Sequence, residues 1–214
     1  RSFYLVKING PVGIKPKIGH QYLILTFIIL SFAIYLYVFK DLPSPTTLTT
    51  QSVPLTTHIR DRNGVTLYKF YKNQNRTLVK LTDIPSYLKQ ATIAIEDKQF
   101  YSHAGFSITG TLRAFFRTTS GKQVEGGSTI TQQLVKTALL SPERTLRRKV
   151  RELFLSMAVE ILYSKDQILE MYLNRVSYGG ETYGVEEASQ IYFGKPVKQL
   201  TLSEASLLAG LPAS

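Results

Sequence analysis

The uncharged apolar run at residues 21–39 is the feature that most constrains the fold of this chain. At ~1.5 Å per helical residue it spans about 29 Å, close to the ~30 Å hydrocarbon core of a bilayer. Tyr22, Tyr35 and Tyr37 lie toward its ends, where aromatic side chains favour the membrane interface. A buried core helix of this length would show a polar face, and a cleaved signal peptide would have a shorter apolar segment. The run therefore predicts a transmembrane helix.

Charges on either side of this run predict its orientation. Residues 1–20 contain four Lys or Arg and no acid, whereas Lys40 and Asp41 cancel one another after the run. The positive-inside rule then places a basic tail at residues 1–20 in the cytoplasm and everything after Lys40 outside. We expect a single-pass protein of a bacterial cell (inner) membrane with an extracytoplasmic domain.

Composition bounds the partners of that domain. The formal net charge is +11, and residues 41–214 hold 21 basic against 15 acidic side chains. A basic domain held at a bilayer meets lipid phosphates rather than nucleic acid, so no nucleic-acid partner is expected. The chain has no Cys, so the exported part must rely on one hydrophobic core without disulfides.

Residues 40–57 are rich in Pro and Thr, which predicts an extended extracytoplasmic linker. Asn63-Gly64 follows between alternating residues and predicts a small β-hairpin at the start of a domain that covers residues 58–214. From Asp83 onward the pattern is helical, with Asp83 as a helix cap and Pro85 in the first turn. The fold class is mainly α.

Three capping boxes mark further helix starts, at Thr129 with Gln132, Ser164 with Gln167, and Thr201 with Glu204. Another helix is predicted to start at Ser141. Its apolar side chains share one face, which we expect to be the buried one: Val150, Leu153, Phe154, Met157 and Ile161.

Residues 105–125 allow two interpretations. The spacing of Leu112, Phe115 and Phe116 fits an ordinary amphipathic core helix. The same aromatics with Arg113 and Arg117 also fit a segment that dips into the outer leaflet, and we favour contact of residues 106–116 with lipid.

Glu96 and Asp97 end an apolar helical stretch, where the partial negative charge of a helix C-terminus ordinarily favours Lys or Arg. Helix stability does not account for two acids there, so Glu96 is a candidate for chemistry. Thirty residues later comes the string G-G-S-T-I-T-Q-Q-L-V-K, at residues 126–136. Two glycines before the start of a helix allow an anionic group to approach its free N–H groups.

These two segments resemble the first two motifs of the peptidoglycan glycosyltransferases, the family 51 glycosyltransferases found in class A penicillin-binding proteins and in monofunctional transglycosylases. Three further matches follow in the same order, R-K-V-R-E at 148–152, K-D-Q-I-L-E-M-Y-L-N at 165–174 and S-E-A-S-L-L-A-G-L-P at 203–212. The resemblance covers about residues 55–214. It implies a lysozyme-like glycosyltransferase domain behind the transmembrane helix.

The resemblance implies an enzyme that polymerises lipid II into β-1,4-linked glycan strands by inverting transfer, with release of undecaprenyl pyrophosphate. Its partners would be lipid II, the growing glycan strand, the lipid bilayer and other cell-wall synthesis proteins. The motifs S-x-x-K, S-x-N and K-T-G do not occur together in the sequence, so we expect a glycosyltransferase domain that stops near its C-terminal end, without a transpeptidase domain.

Motif by motif, the resemblance makes Glu96 the general base and Glu152 the second catalytic glutamate. Arg148 and Lys149 would grip the pyrophosphate, although the same residues also fit a solvated face with one ion pair. Gln99 stands where many family members carry a basic residue, and Lys98 is its candidate substitute. Glu170 and Asn174 fit the donor site or a packing role equally. The expected substrate-binding residues are Lys98, Gln99, Ser128, Thr129, Gln132, Gln133, Lys136, Arg148, Lys149, Glu170 and Asn174.

A divalent cation, Mg²⁺ or Mn²⁺, at the pyrophosphate is the one cofactor that the sequence leaves open, with Glu152 as its candidate ligand. Two other functions remain as alternatives. A lysozyme-like lytic enzyme also uses a Glu in a helical fold but needs no pyrophosphate clamp. A catalytically inert, membrane-anchored cell-wall scaffold would keep the fold without needing both glutamates.

Overall fold

The structure is a computed structural model that describes residues 18–50, 52–107 and 127–212. The predictions for the basic tail up to residue 17, for Gly126 and for lipid contact at Phe115 and Phe116 lie outside these residues. The chain divides into two units, Arg1–Asp41 and Leu42–Ser214. The first unit contains α1 (Ile18–Phe39), and in the described part of the chain only this helix is long and apolar enough to cross a membrane.

The second unit is mainly helical, as predicted. Two short 3-10 turns at Leu81–Asp83 and Val197–Gln199 accompany its helices. The described helices are α2 (Thr47–Thr50), α3 (Ser86–Glu96), α4 (Ile130–Ala138), α5 (Leu146–Leu162), α6 (Lys165–Leu173), α7 (Val185–Phe193) and α8 (Leu202–Gly210).

The hydrophobic core lies where α4 packs against α5 and α6 and where α3 packs along α8. Its largest fully buried apolar side chains come from every one of these helices and from the turn after α3. They include Leu88, Phe100, Leu134, Leu155, Ile168, Tyr172 and Leu208. The core therefore fixes α4 against α5 and α6, and this matters because α4 belongs to the second motif.

The segment predicted as an extended linker is partly folded onto this unit. It contains α2, and Leu48 on that helix is only 2% exposed. The guanidinium of Arg175 donates a hydrogen bond of 2.7 Å to the carbonyl of Leu48. The low charge that favoured a linker also allows the segment to pack, because Leu48 gains more from burial than from exposure on a free chain.

The predicted hairpin is confirmed. Strands β1 (Thr57–Arg60) and β2 (Thr66–Phe70) pair antiparallel. Gly64 in the connection adopts φ +83°, a left-handed conformation that glycine accepts without steric cost. The carboxylate of Asp61 accepts a hydrogen bond from the backbone N–H of Val65 at 2.8 Å and closes the turn.

A buried acid on α7 fastens the hairpin to the helices. Glu187 is fully buried, and its carboxylate accepts from Lys69 Nζ on β2 at 2.6 Å and from the hydroxyl of Thr77. His58 Nε2 on β1 lies 3.5 Å from the same carboxylate. Because a buried carboxylate is costly unless it is paired, this cluster sets where the hairpin docks.

The three predicted capping boxes are confirmed at Thr129, Ser164 and Thr201. Two other predicted helix starts are wrong by a few residues. Asp83 ends a 3-10 turn instead of capping α3, and α3 follows Pro85 without a side-chain cap. The helix predicted to start at Ser141 begins at Leu146, where the hydroxyl of Thr145 accepts from the N–H of Arg148.

The predicted buried face of α5 is also wrong. Phe154 is 43% exposed and Ile161 is 83% exposed, whereas Glu152, Leu155 and Val159 are buried. The physical reason is that Glu152 enters the interior together with two cations, so its side of the helix can pack despite the charge. Apolar periodicity alone therefore predicts the wrong side of α5 as the buried one.

Candidate active site

Glu96 is the last residue of α3 and is half-buried. Its Oε2 accepts a hydrogen bond of 2.6 Å from the side-chain amide of Gln133 on α4. The hydroxyl of Tyr172 donates to Gln133 Oε1 at 3.2 Å and thereby orients the amide. Glu96 Oε1 is buried and makes no hydrogen bond with any described residue. One carboxylate oxygen is thus fixed, and the other is left able to accept a proton.

Two buried tyrosines border Glu96. Burial raises the pKa of the Tyr178 hydroxyl, and the negative charge of Glu96 raises it further. Burial likewise raises the pKa of Tyr172, with Glu96 as the second cause. Both hydroxyls therefore keep their protons at any physiological pH, and Tyr172 remains a hydrogen-bond donor to Gln133.

Asp97, beside Glu96, has a different role from its neighbour. Its carboxylate is buried and accepts from the N–H of Ile130 at 3.1 Å, at the positive end of α4. His103 Nε2 lies 2.8 Å from the same oxygen, and His103 Nδ1 accepts from the N–H of Gly105. Asp97 thus joins the end of α3 to the start of α4. Sequence reasoning missed this contact, and its only signal is the nearby His103 in the same motif.

Glu152 on α5 is 1% exposed and binds two cations. Arg148 Nη1 donates to Glu152 Oε2 at 3.1 Å, and Lys149 Nζ donates to Glu152 Oε1. Lys149 Nζ also donates to the hydroxyl of Ser128 at 3.1 Å, just before α4. The structure therefore brings four predicted site residues from the second and third motifs into one cluster with a net positive charge.

A divalent cation does not fit at Glu152. Both carboxylate oxygens already accept from cationic donors, and the side chain is almost fully buried. Within residues 18–50, 52–107 and 127–212, no three His, Asp or Glu side chains form a group that could hold a metal ion. Glu152 is placed to position Arg148 and Lys149 rather than to ligate a metal.

Thr129 and Gln132 occupy the interior of the fold rather than a binding surface. The hydroxyl of Thr129 accepts from the N–H of Gln132 and donates to the carbonyl of Gly105 at 2.8 Å. The side chain of Gln132 accepts from the N–H of Thr129. Both residues are at most 4% exposed. The described contacts of both residues are those of a helix cap, and their expected contact with substrate stays a prediction.

Glu170 and Asn174 are engaged by the backbone that precedes α3. Glu170 Oε2 accepts from the N–H of Leu81 at 2.7 Å. The amide of Asn174 accepts from the N–H of Val79 and donates to its carbonyl. These contacts favour the packing role that the sequence left as one of two possibilities.

The remaining predicted binding residues are Lys98, Gln99 and Lys136. Lys98 and Gln99 are exposed on the turn after α3, and Gln99 accepts a hydrogen bond from Ser107. Lys136 is exposed on α4 and lines a separate cleft. No contact in the described part of the chain joins Lys136 to Glu152.

The family model described as "Transglycosylase" matches residues 63–214. The chain is 43% identical over 182 residues to penicillin-binding protein 1A of Vibrio cholerae, an alignment that covers 85% of this chain and 22% of the relative. The corresponding protein of Escherichia coli is also 43% identical, with 85% and 21% covered.

Penicillin-binding protein 1F of Bacillus subtilis is 44% identical over 155 residues, which cover 72% of this chain and 22% of the relative. A crystal structure of penicillin-binding protein 1A from Haemophilus influenzae shares 26% identity over 75% of this chain and 14% of that chain, with a TM-score of 0.35. The chain spans about a fifth of the length of the curated relatives it matches.

Proposed function

Because the chain belongs to the transglycosylase family, we propose that it is a peptidoglycan glycosyltransferase that polymerises lipid II. The sugar hydroxyl of one substrate attacks the anomeric carbon of the other, and undecaprenyl pyrophosphate leaves. The transfer inverts the anomeric centre and forms a β-1,4 link. The elongated strand is now attached to the lipid pyrophosphate of the acceptor, and it becomes the donor for the next transfer.

Glu96 acts as the general base in this proposal. Its Oε1 is without a hydrogen-bond partner in the described part of the chain, while Gln133 holds Oε2. A carboxylate held at one oxygen keeps the other in a fixed direction, and this favours removal of the proton from the acceptor hydroxyl as the new bond forms.

Arg148 and Lys149 stabilise the departing pyrophosphate. Negative charge builds on the leaving group as its bond to the sugar breaks, and preorganised cations lower the energy of that transition state. Glu152 is buried between the two cations and holds them in place without neutralising both. Ser128, which accepts a hydrogen bond from Lys149, fixes the position of that ammonium group.

The observation that carries the proposal is the role of α4 as a common support. Ser128 precedes the helix and contacts Lys149, while Gln133 within the helix contacts Glu96. The base and the ammonium group of Lys149 are therefore held by α4 and by the residue before its N-cap. A reaction that needs a base on one substrate and positive charge beside the other is served by such an arrangement.

We also propose that α1 anchors the enzyme in the cell membrane with the N-terminus in the cytoplasm. The helix has 22 residues, enough to cross the ~30 Å hydrocarbon core. A substrate with a long lipid tail must be met at the bilayer surface, so an anchor next to the domain favours encounter. Other cell-wall synthesis proteins are proposed as partners on the same membrane.

The proposal is tested by incubating the purified full chain in detergent with labelled lipid II and resolving the products on a gel. Glycan polymer is the expected product, and Glu96→Gln should reduce the rate by ~10²–10⁴-fold, the usual contribution of a general base. Glu181→Gln is the matched control, since Glu181 is exposed and its side chain makes no described contact. Wild-type turnover by a folded Glu96→Gln variant would disprove the assignment of the base.

A further inference from the structure

A cleft of about 470 Å³ lies beside the C-terminal half of α4 and carries three cationic side chains, Arg76, Arg175 and Lys136. No Asp or Glu is among its described lining residues. None of the three cations forms an ion pair with any residue that the structure describes. Three cations that line one cleft without an acid repel one another, and a bound anion would offset that repulsion.

Arg76 gives the strongest evidence that the cleft binds an anion. It is only 4% exposed, and its buried Nε–H has no hydrogen-bond acceptor in the described structure. The central carbon of its guanidinium lies 5.3 Å from the ring centre of Tyr183, which is a cation–π contact. A buried guanidinium donor without an acceptor is costly, so an acceptor supplied from outside would recover that cost.

Arg175 reinforces the local positive field. Burial lowers the pKa of Arg76, and the charge of Arg175 is the next cause. Burial also lowers the pKa of Arg175 itself. One terminal nitrogen of Arg175 donates to the carbonyl of Leu48, which fixes the guanidinium at the wall of the cleft. Both guanidiniums are thus held in place before any ligand arrives.

We propose that this cleft is a binding site for an oxyanion of the substrate, either a carboxylate or a phosphate. Arg76 and Arg175 present planar donor groups that match two oxygens of one anion, and Lys136 supplies a mobile third charge. Leu140, Pro142 and Val53 add apolar walls, which suit an oxyanion carried on a larger organic group.

The position of the cleft connects it with the candidate active site. Lys136 follows Gln133 by three residues on α4, so the two side chains lie on neighbouring turns of one face. Gln133 contacts Glu96, and Lys136 lines the cleft. In the proposed complex the substrate places its hydroxyl at Glu96 and its oxyanion in the cleft. This assignment of a ligand to the cleft rests on the proposed function, whereas the binding of an oxyanion does not.

The test is a titration of the full chain in detergent, followed by side-chain ¹⁵N–¹H spectra of arginine. Inorganic phosphate and glutarate are the two probes, each added at constant ionic strength with KCl. A saturable shift of the Arg76 Nε–H signal is expected with at least one probe. The tighter probe identifies the chemistry, phosphate for the lipid-linked pyrophosphate and glutarate for a carboxylate of the peptide.

Variants make the test specific. Arg175→Gln and Lys136→Gln should each weaken the binding by about tenfold or more, the effect of one lost charged hydrogen bond. Arg60→Gln is the control, because Arg60 is exposed on β1 and its described side-chain contact is a hydrogen bond to the carbonyl of Gly64. Lys136→Gln decides the matter if Arg175→Gln fails to fold, since Lys136 is exposed and makes no described side-chain contact.

The absence of a saturable Arg76 shift with both probes would overturn the proposal, as would unchanged affinity in the Lys136→Gln variant. This outcome is separate from that of the polymerisation assay. A chain that polymerises lipid II but binds neither probe disproves only the oxyanion site. A chain that binds a probe but forms no polymer disproves only the proposed function.

Discussion

Gln133 donates a hydrogen bond of 2.6 Å to Glu96, and this contact joins the second motif to the first across two helices. This contact distinguishes the two carboxylate oxygens of Glu96. The amide engages Oε2, which leaves Oε1 as the oxygen without a hydrogen bond in the described structure. The hydroxyl of Tyr172 donates a hydrogen bond to Gln133 Oε1. Tyr172 therefore orients Gln133, and Gln133 orients Glu96.

Gln133→Leu should therefore reduce kcat for polymerisation about tenfold or more while KM changes little, because the base remains but loses its orientation. Tyr172→Phe should have a smaller effect of the same kind, since it removes only the second hydrogen bond. Steady-state kinetics with labelled lipid II give the two constants. Equal changes in KM and kcat would show that Gln133 acts on substrate binding instead.

Lys149→Ala should weaken use of the donor more than use of the acceptor, because only the diphosphate of the donor gains charge as its bond breaks. The measurement varies one substrate at a time, with a lipid II analogue that can serve only as acceptor. Lys72→Ala is a matched control, since Lys72 is exposed and makes no described side-chain contact. An equal loss for both substrates would contradict a role at the leaving group.

Asp97→Asn should lower the free energy of unfolding by about 1–3 kcal/mol, the usual cost of disrupting a buried hydrogen bond to a charged group. The substitution weakens the contacts of Asp97 with His103 and with the N–H of Ile130. Chemical denaturation of the chain in detergent measures the change. Asp83→Asn, at an exposed acid without a described side-chain bond, should leave the stability unaltered.

Glu187→Gln should destabilise the fold by about 3 kcal/mol, the lower end of the range for removing one partner of a buried pair. The side chain of Lys69 is 26% exposed, so water can partly solvate its charge after the substitution. The lower end of the range applies for this reason. Hydrogen exchange should show the loss first in β1 and β2, which the acid ties to α7. A uniform loss of protection across α4 and α5 would contradict this local role.

Glu204 predicts how the stability of the fold depends on pH. The hydrogen bond from Lys195 lowers the pKa of this carboxyl to about 2, with the N–H of Thr201 as the next cause. Because the pKa is lower in the folded state, the stabilisation is complete above about pH 4.5 and is lost as the pH falls toward 2. The stability difference between the wild type and Glu204→Gln should shrink over this range. A difference that stays constant from pH 5 to pH 2 would refute the linkage.

Local chemistry made several parts of the fold predictable. Thr129, Ser164 and Thr201 cap their helices with side chains only three residues away, so a short string of sequence contains both partners. The turn at Gly64 is equally local. Glu96 and Glu152 came from motif resemblance, and their catalytic roles stay predictions until they are measured.

Other parts of the fold were not predictable, because they depend on contacts between residues distant in sequence. The buried side of α5 includes Glu152, and hydrophobic periodicity has no means of recognising that two cations make this acid suitable for the interior. Leu48 looked like part of a linker because its partners on other elements lie more than a hundred residues later, as with the carbonyl contact from Arg175. Arg76 gave no sequence signal at all.

The shared support at α4 has a consequence for how this chain can change in length. An α-helix turns by ~100° per residue, so a single insertion between Ser128 and Gln133 would rotate the amide away from Glu96 while Lys149 kept its partner. A deletion would rotate it the other way. The spacing within α4 therefore tolerates substitution better than insertion, whereas the hairpin connection at Gly64, where an added Cβ meets no atom within 4 Å, has room for extra residues.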